Sequence, residues 1–561
     1  MHILDSISSN KRIQFWLFIL LLLFLSLFMI FCFMPLDKAY WGADILFHYR
    51  RFEALMLALQ NDSYPTYLDY GAAMEFGYAT KWFYPDFILV PFAWLGNVTN
   101  IYFGYKSMIF CFTFLCGLIT YKSAQKILNN NYISILTALL YTFAFYHIIN
   151  LFSRSAIAEG IAMTFLPLIF WGLYEIIKGN YKKWYIISIG FLLLLMTHLL
   201  TSVLTFILVL IILVVYYKDL YKTPKRLYYL ILAGIFSFLI SAVYILPMLE
   251  QMYSNTYWFN NPHPTTWPEH NGLSILQIIS GFFNGFSLSA EGQLVSIGIM
   301  LIGIILLRLF IYERTAILKK VDLLVISGFI LIFLTSNLFP WGVFPFNKIK
   351  FFQFPWRLFT YISLFFALGG SYYLYILAKS NCRKYIYFSV IIVGIFFMLI
   401  INGRVFQEGK YFEETGVYTL NPEEKNYYHL GSMEYIPSKF PSLEYIKDRA
   451  GIIVTNHTDT KISDFGREYG TTKFNINIAG NEETAEIPRF YYKGYTATLN
   501  GENIPIEQSD KGLIKLTIKE SGKVIITYSG TILQKISIYI SIISFIILCI
   551  FIVRFKKKEN A

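Results

Sequence analysis

The sequence predicts a polytopic α-helical membrane protein of about twelve transmembrane helices, with an extracytoplasmic β-rich domain before the last helix. Three observations predict it. Of the 561 residues, 56% are apolar and only 15% charged, where an ordinary soluble domain carries about 25% charged residues. The apolar residues run in blocks without internal charge, such as Phe15–Phe33 and Ile186–Tyr216, long enough to cross a hydrocarbon core of about 30 Å. The 47 basic residues outnumber the 35 acidic ones, for a net charge of +12, and they cluster in alternate loops. Lys11/Arg12, Lys178/Lys182/Lys183, Lys218/Lys222/Lys225/Arg226, Arg314/Lys319/Lys320, Lys379/Arg383/Lys384 and Arg554/Lys556/Lys557/Lys558 all flank apolar blocks, as the positive-inside rule expects. The basic excess therefore reports topology, and no nucleic-acid partner is expected.

Apolar blocks at 14–35, 103–121, 131–149, 157–177, 184–198, 200–217, 227–248, 293–311, 321–338, 357–378, 384–402 and 532–553 supply the spans and place both termini in the cytoplasm. The first block ends at Met34-Pro35-Leu36-Asp37 without a small-residue cleavage site, so it reads as a retained helix. The run 184–217 is one long helix or a hairpin about Thr197-His198, and the parity of the basic loops favours the hairpin. Residues 1–402 then form a transmembrane domain with large outer loops 36–102 and 249–292. Residues 403–531 form the outer domain, and 532–561 the last helix with a basic tail.

Within 403–531, Tyr495–Leu499 and Ile504–Ile506 flank Asn500-Gly501, a two-residue hairpin signal. Leu513–Lys519 and Lys523–Tyr528 alternate apolar and polar residues around Ser521-Gly522, and the expected architecture is a sandwich. Cys32, Cys111, Cys116, Cys382 and Cys549 lie in or beside apolar segments with no metal-ligand spacing, which implies neither a disulfide framework nor a zinc cluster. No nucleotide-binding glycine loop, Gly-x-Ser-x-Gly elbow or His-Glu-x-x-His is present.

Burying an ionisable group without a partner costs several kcal/mol, so charges in or beside apolar blocks are the functional candidates. Asp44, His48 and Arg51 follow the first span at i, i+4 and i+7, one stripe of a helix. Such a stripe suits a general base or a divalent cation on Asp44 and His48, with Arg51 toward a phosphate or pairing the acid. The competing reading is an N-cap at Asp44 and an interfacial ion pair. Lys81-Trp82-Phe83-Tyr84-Pro85-Asp86 suits either a sugar-stacking surface including Tyr84 or an aromatic belt. Arg154 and Glu159 stand at i, i+5, which do not share a helix face, so they straddle a bend and face other elements. A buried ion pair and a ligand role are equally open for them. His198 falls in the middle of an apolar run, a satisfied core residue or a group at a cavity. Gln353 and Arg357 begin a later span behind Pro355-Trp356, with Arg357 a snorkelling anchor or a phosphate ligand.

These residues together carry a resemblance: Gly42-Ala43-Asp44 with His48, Phe76-Gly77-Tyr78, Phe83-Tyr84-Pro85, Arg154…Glu159, Thr197-His198, Gln353-Phe-Pro-Trp-Arg357, Glu434-Tyr435-Ile-Pro437 and Tyr492-Lys-Gly494-Tyr495. Over nearly its whole length the chain resembles the bacterial YfhO-like and 6-pyruvoyl-tetrahydropterin synthase-related membrane proteins, which are placed with the GT-C glycosyltransferases. That resemblance implies a multi-pass plasma-membrane enzyme. It would move a sugar from a polyprenyl-phosphate donor to a cell-surface glycan, a teichoic-acid-type or a lipid acceptor at the outer face. In the GT-C superfamily an acidic residue of the first outer loop is catalytic or holds a metal, which here matches Asp44. The zinc site of a soluble pterin synthase is not implied, because no two of the eight histidines form a His-x-His pair.

On this reading Asp44 is the general base, supported by His48. Arg154 and Arg357 neutralise the leaving phosphate, and Arg51, Tyr84, Glu159, His198 and Gln353 contact substrate. A divalent cation is the one cofactor considered. Two other classes remain open: a transporter or flippase of lipid-linked glycans, and a non-catalytic cell-envelope assembly protein.

Overall fold

The computed structural model describes residues 10–34, 42–260, 266–283, 288–289, 292–293, 295–408, 433–449 and 451–560. Residues Pro35–Asp37, Trp41, His263, and parts of the predicted 249–292 loop and 403–531 domain lie outside them.

The chain is mostly helical, with a β-rich region near its C-terminus. Among the described residues, six helical segments are long and apolar enough to cross a membrane: Lys11–Phe33, Ile101–Leu128, Ile157–Ile177, Pro355–Leu377, Asn381–Gln407 and Ile532–Lys558. Two bent pairs, Asn131–Thr142 with Phe145–Leu151 and Pro224–Ile240 with Ala242–Ser254, raise the number to eight if each is one span. The other four apolar blocks of the sequence also fold as helix, but as pieces that are shorter or more charged. The run 184–217 breaks at Met196–His198 into Tyr185–Leu195 and Leu199–Val215. Ile299–Leu306 tightens into a 3₁₀ turn at Leu307–Phe310, and Ala316–Thr335 carries Lys319, Lys320 and Asp322.

Two compact units are present. The first contains the described residues of Met1–Ile45, Tyr102–Gly234 and His263–Tyr418. Its centre is formed by Ile157–Ile177 and Pro355–Leu377, more than two thirds buried in their most apolar stretches. Lys11–Phe33, by contrast, leaves Leu17, Leu20, Phe24, Leu27 and Phe31 exposed along one helix.

The second unit contains the described residues of Leu46–Ile101, Ile235–Pro262 and Thr419–Ala561. Its strands are β1 Val454–Thr455, β2 Lys461–Glu468, β3 Thr471–Asn477, β4 Glu483–Phe490, β5 Tyr495–Leu499, β6 Glu502–Ile504, β7 Ile506–Gln508, β8 Leu513–Ile518 and β9 Gly522–Tyr528. They form two antiparallel sheets, ordered β1-β4-β8-β7 and β2-β3-β9-β5-β6. Apolar residues alternate inward, Phe474 and Ile476 on β3, Leu516 and Ile518 on β8, Val524 and Ile526 on β9. Arg489 Nε of β4 donates to Thr472 Oγ1 of β3 at 2.9 Å, a bond from one sheet to the other.

The Asn500-Gly501 signal folds as a two-residue hairpin, but its second strand is Glu502–Ile504 rather than Ile504–Ile506, and Ile506 begins a strand of the other sheet. Leu499 pairs with Glu502, and both turn residues have positive φ, +53° and +94°, the left-handed geometry that a two-residue hairpin of this type requires. The strands around Ser521-Gly522 do not pair with one another: β8 and β9 belong to different sheets.

Candidate functional site

The first unit brings several charged side chains together beside the break between helices Phe145–Leu151 and Ile157–Met163. Helix Phe145–Leu151 presents Tyr146 and Asn150, four residues apart and so on one face. After it the chain turns through Phe152–Ala156, with Ser155 at φ +52°, and re-enters helix at Ile157. This turn is joined to the residues before helix Ile45–Gln60 by two backbone bonds, Ala43 N to Ser153 O at 3.0 Å and Asp44 N to Arg154 O at 2.9 Å. Gly42 is required there, since a Cβ would stand 2.4 Å from the Phe152 carbonyl oxygen.

Glu159 lies at the centre, 2% exposed. Its Oε1 accepts from the Tyr146 hydroxyl at 2.6 Å. Its Oε2 is 3.3 Å from Arg154 Nη1 and 3.6 Å from Arg357 Nε. Arg154 Nη1 also donates to Asn150 Oδ1 at 2.5 Å and to the Tyr146 hydroxyl at 3.2 Å. Arg357 Nη1 donates to Phe352 O at 3.0 Å and Gln353 Oε1 at 3.1 Å, and its guanidinium covers the Phe354 ring. His198 caps helix Leu199–Val215: its Nδ1 meets Thr201 Oγ1 at 2.7 Å and accepts weakly from Thr201 N at 3.4 Å. It also contributes to the field at Glu159.

Asp44 differs from every other member. It precedes helix Ile45–Gln60 rather than lying on it, and its carboxylate makes no hydrogen bond or ion pair with any described residue. Its surface is accessible to solvent, yet protein atoms crowd around it, the condition of a group on the wall of a recess. Burial raises its pKa above the usual carboxylate value. Arg154 and Arg357 oppose that shift, and the like charge of Glu159 reinforces it. Two guanidiniums thus face two carboxylates, one of which is fully engaged and the other open.

The second unit holds a separate cluster. Asp86 takes Arg51 Nη2 on Oδ1 at 2.9 Å and Lys81 Nζ on Oδ2 at 2.6 Å. Arg51 Nη1 lies 3.1 Å from His48 Nδ1, and its guanidinium sits 4.9 Å above the Tyr84 ring. Because a guanidinium only donates, His48 Nδ1 must accept, which leaves the ring proton on Nε2. Nearby, Arg50 Nε and Nη2 grip both oxygens of Asp69 at 2.7 and 2.8 Å.

The sequence-predicted residues are therefore sorted by the fold. Asp44, Arg154, Glu159, His198, Gln353 and Arg357 converge in the first unit; His48, Arg51 and Tyr84 converge in the second. Of the expected stripe, His48 and Arg51 lie on helix Ile45–Gln60 and Asp44 stands immediately before it, at the position of the competing N-cap reading. Arg154 and Glu159 straddle a bend as expected, but they also pair with each other. Phe76, Tyr78, Trp82 and Phe83 are buried. Phe83 stacks on Tyr435 at 4.6 Å, Tyr78 meets Tyr435 at 5.7 Å, and Trp82 meets Tyr492 at 5.5 Å, an aromatic core of the second unit.

Tyr146 and Asn150 escape a reading of charges alone. Their signal is a pair of hydrogen-bonding side chains four residues apart in an apolar segment. Among the described residues no group of three or more His, Cys, Asp or Glu side chains is placed to hold a metal ion.

Searches against known protein families and against curated proteins return no match for this chain.

Proposed function

We propose that the protein is a membrane-embedded glycosyltransferase of the GT-C type. In this reading it moves a sugar from a polyprenyl phosphate to a glycan, teichoic-acid-type or lipid acceptor at the outer face of a cell membrane, with both termini in the cytoplasm. The observation that carries the reading is Asp44: an accessible carboxylate with raised pKa and no described hydrogen-bond partner, in the field of two arginines that Glu159 holds in place.

The chemistry follows from those parts. The acceptor hydroxyl gives its proton to Asp44 as its oxygen attacks the anomeric carbon, and the polyprenyl phosphate leaves with the bonding electron pair. A base works best when its pKa approaches the operating pH, which is the direction in which burial moves Asp44. Charge developing on the leaving phosphate is met by Arg154 and Arg357, fixed before the reaction by Glu159, Tyr146, Asn150 and Gln353. Gln353 and His198 set the positions of Arg357 and of a helix start; neither is assigned a proton transfer.

Two features support a lipid-borne donor in a bilayer. Helices such as Lys11–Phe33 and Ile532–Asn560 expose long apolar faces, which only lipid or another apolar surface covers without cost. A cavity of about 780 Å³ in the first unit is lined by Leu140, Phe145, Ile304, Leu374, Val390 and Phe397 among others, almost all apolar. Phe145 joins that lining to Tyr146 of the charged cluster.

The test is radiolabelled sugar transfer by the purified protein from a panel of polyprenyl-phosphate sugars. Asp44→Asn is expected to lower transfer by at least about 100-fold, the usual worth of a general base, with expression unchanged and no loss of thermal stability. Wild-type transfer by that variant would overturn the role of Asp44. If the intact protein transfers no sugar and instead moves lipid-linked glycan between leaflets, the enzyme reading fails.

A further inference from the structure

A second cavity of the first unit, about 560 Å³, opens where three helices begin: Lys11–Phe33, Asn131–Thr142 and Asn381–Glu408. Its lining divides by chemistry. Lys11 and Lys384 are the only charged residues, and no carboxylate lies among the lining groups. Neither lysine forms an ion pair with a described residue; Lys384 Nζ rests 5.6 Å from the Tyr375 ring centre. Asn130, Asn131 and Asn381 add amide groups, and Leu17, Phe18 and Leu21 make an apolar wall along helix Lys11–Phe33.

The polar end is rigidly built. Asn131 is buried, accepts from the Tyr121 hydroxyl at 2.7 Å and donates to Gln14 Oε1 at 2.5 Å. The Tyr132 hydroxyl donates to Lys384 O at 3.0 Å and holds that backbone in place. Three helix N-termini add their partial positive charge to that of the lysines. Such a site selects an anion. The apolar wall beside it, with Leu17 exposed on the outer surface of its helix, selects an anion that carries a hydrocarbon chain.

We propose that this cavity binds an anionic phospholipid, with its phosphate headgroup between Lys11 and Lys384 and an acyl chain along Leu17 and Leu21. By the positive-inside pattern the lipid belongs to the cytoplasmic leaflet. The inference rests on the membrane placement under the proposed function and is independent of glycosyl transfer.

Lipid retention tests it. The full-length protein in detergent is mixed with phosphatidylglycerol or phosphatidylcholine, and bound lipid is counted by native mass spectrometry. Phosphatidylglycerol is expected to be retained over phosphatidylcholine, and the double variant Lys11→Gln/Lys384→Gln to bind it at least about tenfold more weakly, near the effect of two lysines close to a lipid surface. Lys182→Gln, an exposed basic residue outside the cavity, should leave retention unchanged. Equal retention of the two lipids, wild-type binding by the double variant, or an equal loss with Lys182→Gln would each overturn the site. Displacement of the lipid by millimolar inorganic phosphate would assign the cavity to free phosphate instead. Failure here leaves the transfer assay's outcome untouched, and absence of transfer leaves the expected lipid preference unchanged.

Discussion

The clusters around Asp86 and Glu159 are assembled from the same parts, a buried carboxylate between two cations, yet they end differently. At Asp86 each carboxylate oxygen takes one cation at 2.6 to 2.9 Å, and Asp86, Arg51 and Lys81 are all less than a tenth exposed. Both oxygens of Asp86 are taken, while His48 and Tyr84 lie against the Arg51 guanidinium. At Glu159 the two guanidiniums share one carboxylate oxygen at 3.3 and 3.6 Å, and a second carboxylate, Asp44, stands open in their field. A closed set of charges fixes the chain around it. An open one keeps a titratable group and cationic surroundings ready for a ligand, and open, perturbed groups are the ones that mark reactive sites.

The comparison breaks most visibly at its centre. Glu159→Gln leaves Arg154 and Arg357 buried or half-buried with their shared anion gone, and removing one partner from a buried ion pair costs about 3–5 kcal/mol. A large drop in unfolding midpoint, with loss of any transfer activity, is the expected outcome by thermal unfolding in detergent. Unchanged stability would mean that Glu159 does not hold the arginines.

Asp86→Asn strands Arg51 and Lys81 in the same way, and about 3 kcal/mol is expected. The pH dependence is specific to this site. Burial opposes ionisation of Asp86, but Lys81 and Arg51 outweigh it and hold the pKa below the usual carboxylate value. Its stabilisation is therefore complete above the unfolded carboxylate pKa and is lost as pH falls through the lower folded value. The wild type should lose stability on acidification by more than the Asp86→Asn variant does; equal acid sensitivity would exclude the closed triad.

Legibility in the sequence followed the same division. Every apolar block predicted as a span contains helix among the described residues, because a long apolar run has few other ways to satisfy its backbone. Length was less legible: the parity of the basic loops pointed to the break at Thr197-His198, whereas the 3₁₀ turn at Leu307–Phe310 depends on local caps and packing. Alternation in Leu513–Lys519 and Lys523–Tyr528 identified strands and buried faces but not partners, since a period of two fixes a face and not a neighbour. Asp44, Arg154, Glu159 and Arg357 were visible as charges out of place in apolar surroundings. Their convergence was not, because Glu159 and Arg357 are nearly 200 positions apart in the chain. Arg51 misled for a related reason: spacing placed it with Asp44, whereas its partner Asp86 comes from 35 residues away.

The smallest effect gives the sharpest contrast. Asp44→Asn should change stability at neutral pH by no more than about 0.5 kcal/mol, and the sign should favour the variant. A folded-state pKa raised above the unfolded value means that the folded protein binds the Asp44 proton more tightly. Stability associated with that proton is complete below the unfolded carboxylate pKa and is lost as pH rises through the higher folded value. At neutral pH the ionised side chain is therefore a local cost that the neutral amide removes. Asp86→Asn and Asp44→Asn, the same chemical change at two carboxylates, should shift the unfolding midpoint in opposite directions at pH 7 and converge on acidification. If Asp44→Asn instead destabilises the protein as Asp86→Asn does, then Asp44 belongs to a closed structural cluster, and the open carboxylate on which the transfer mechanism depends is lost.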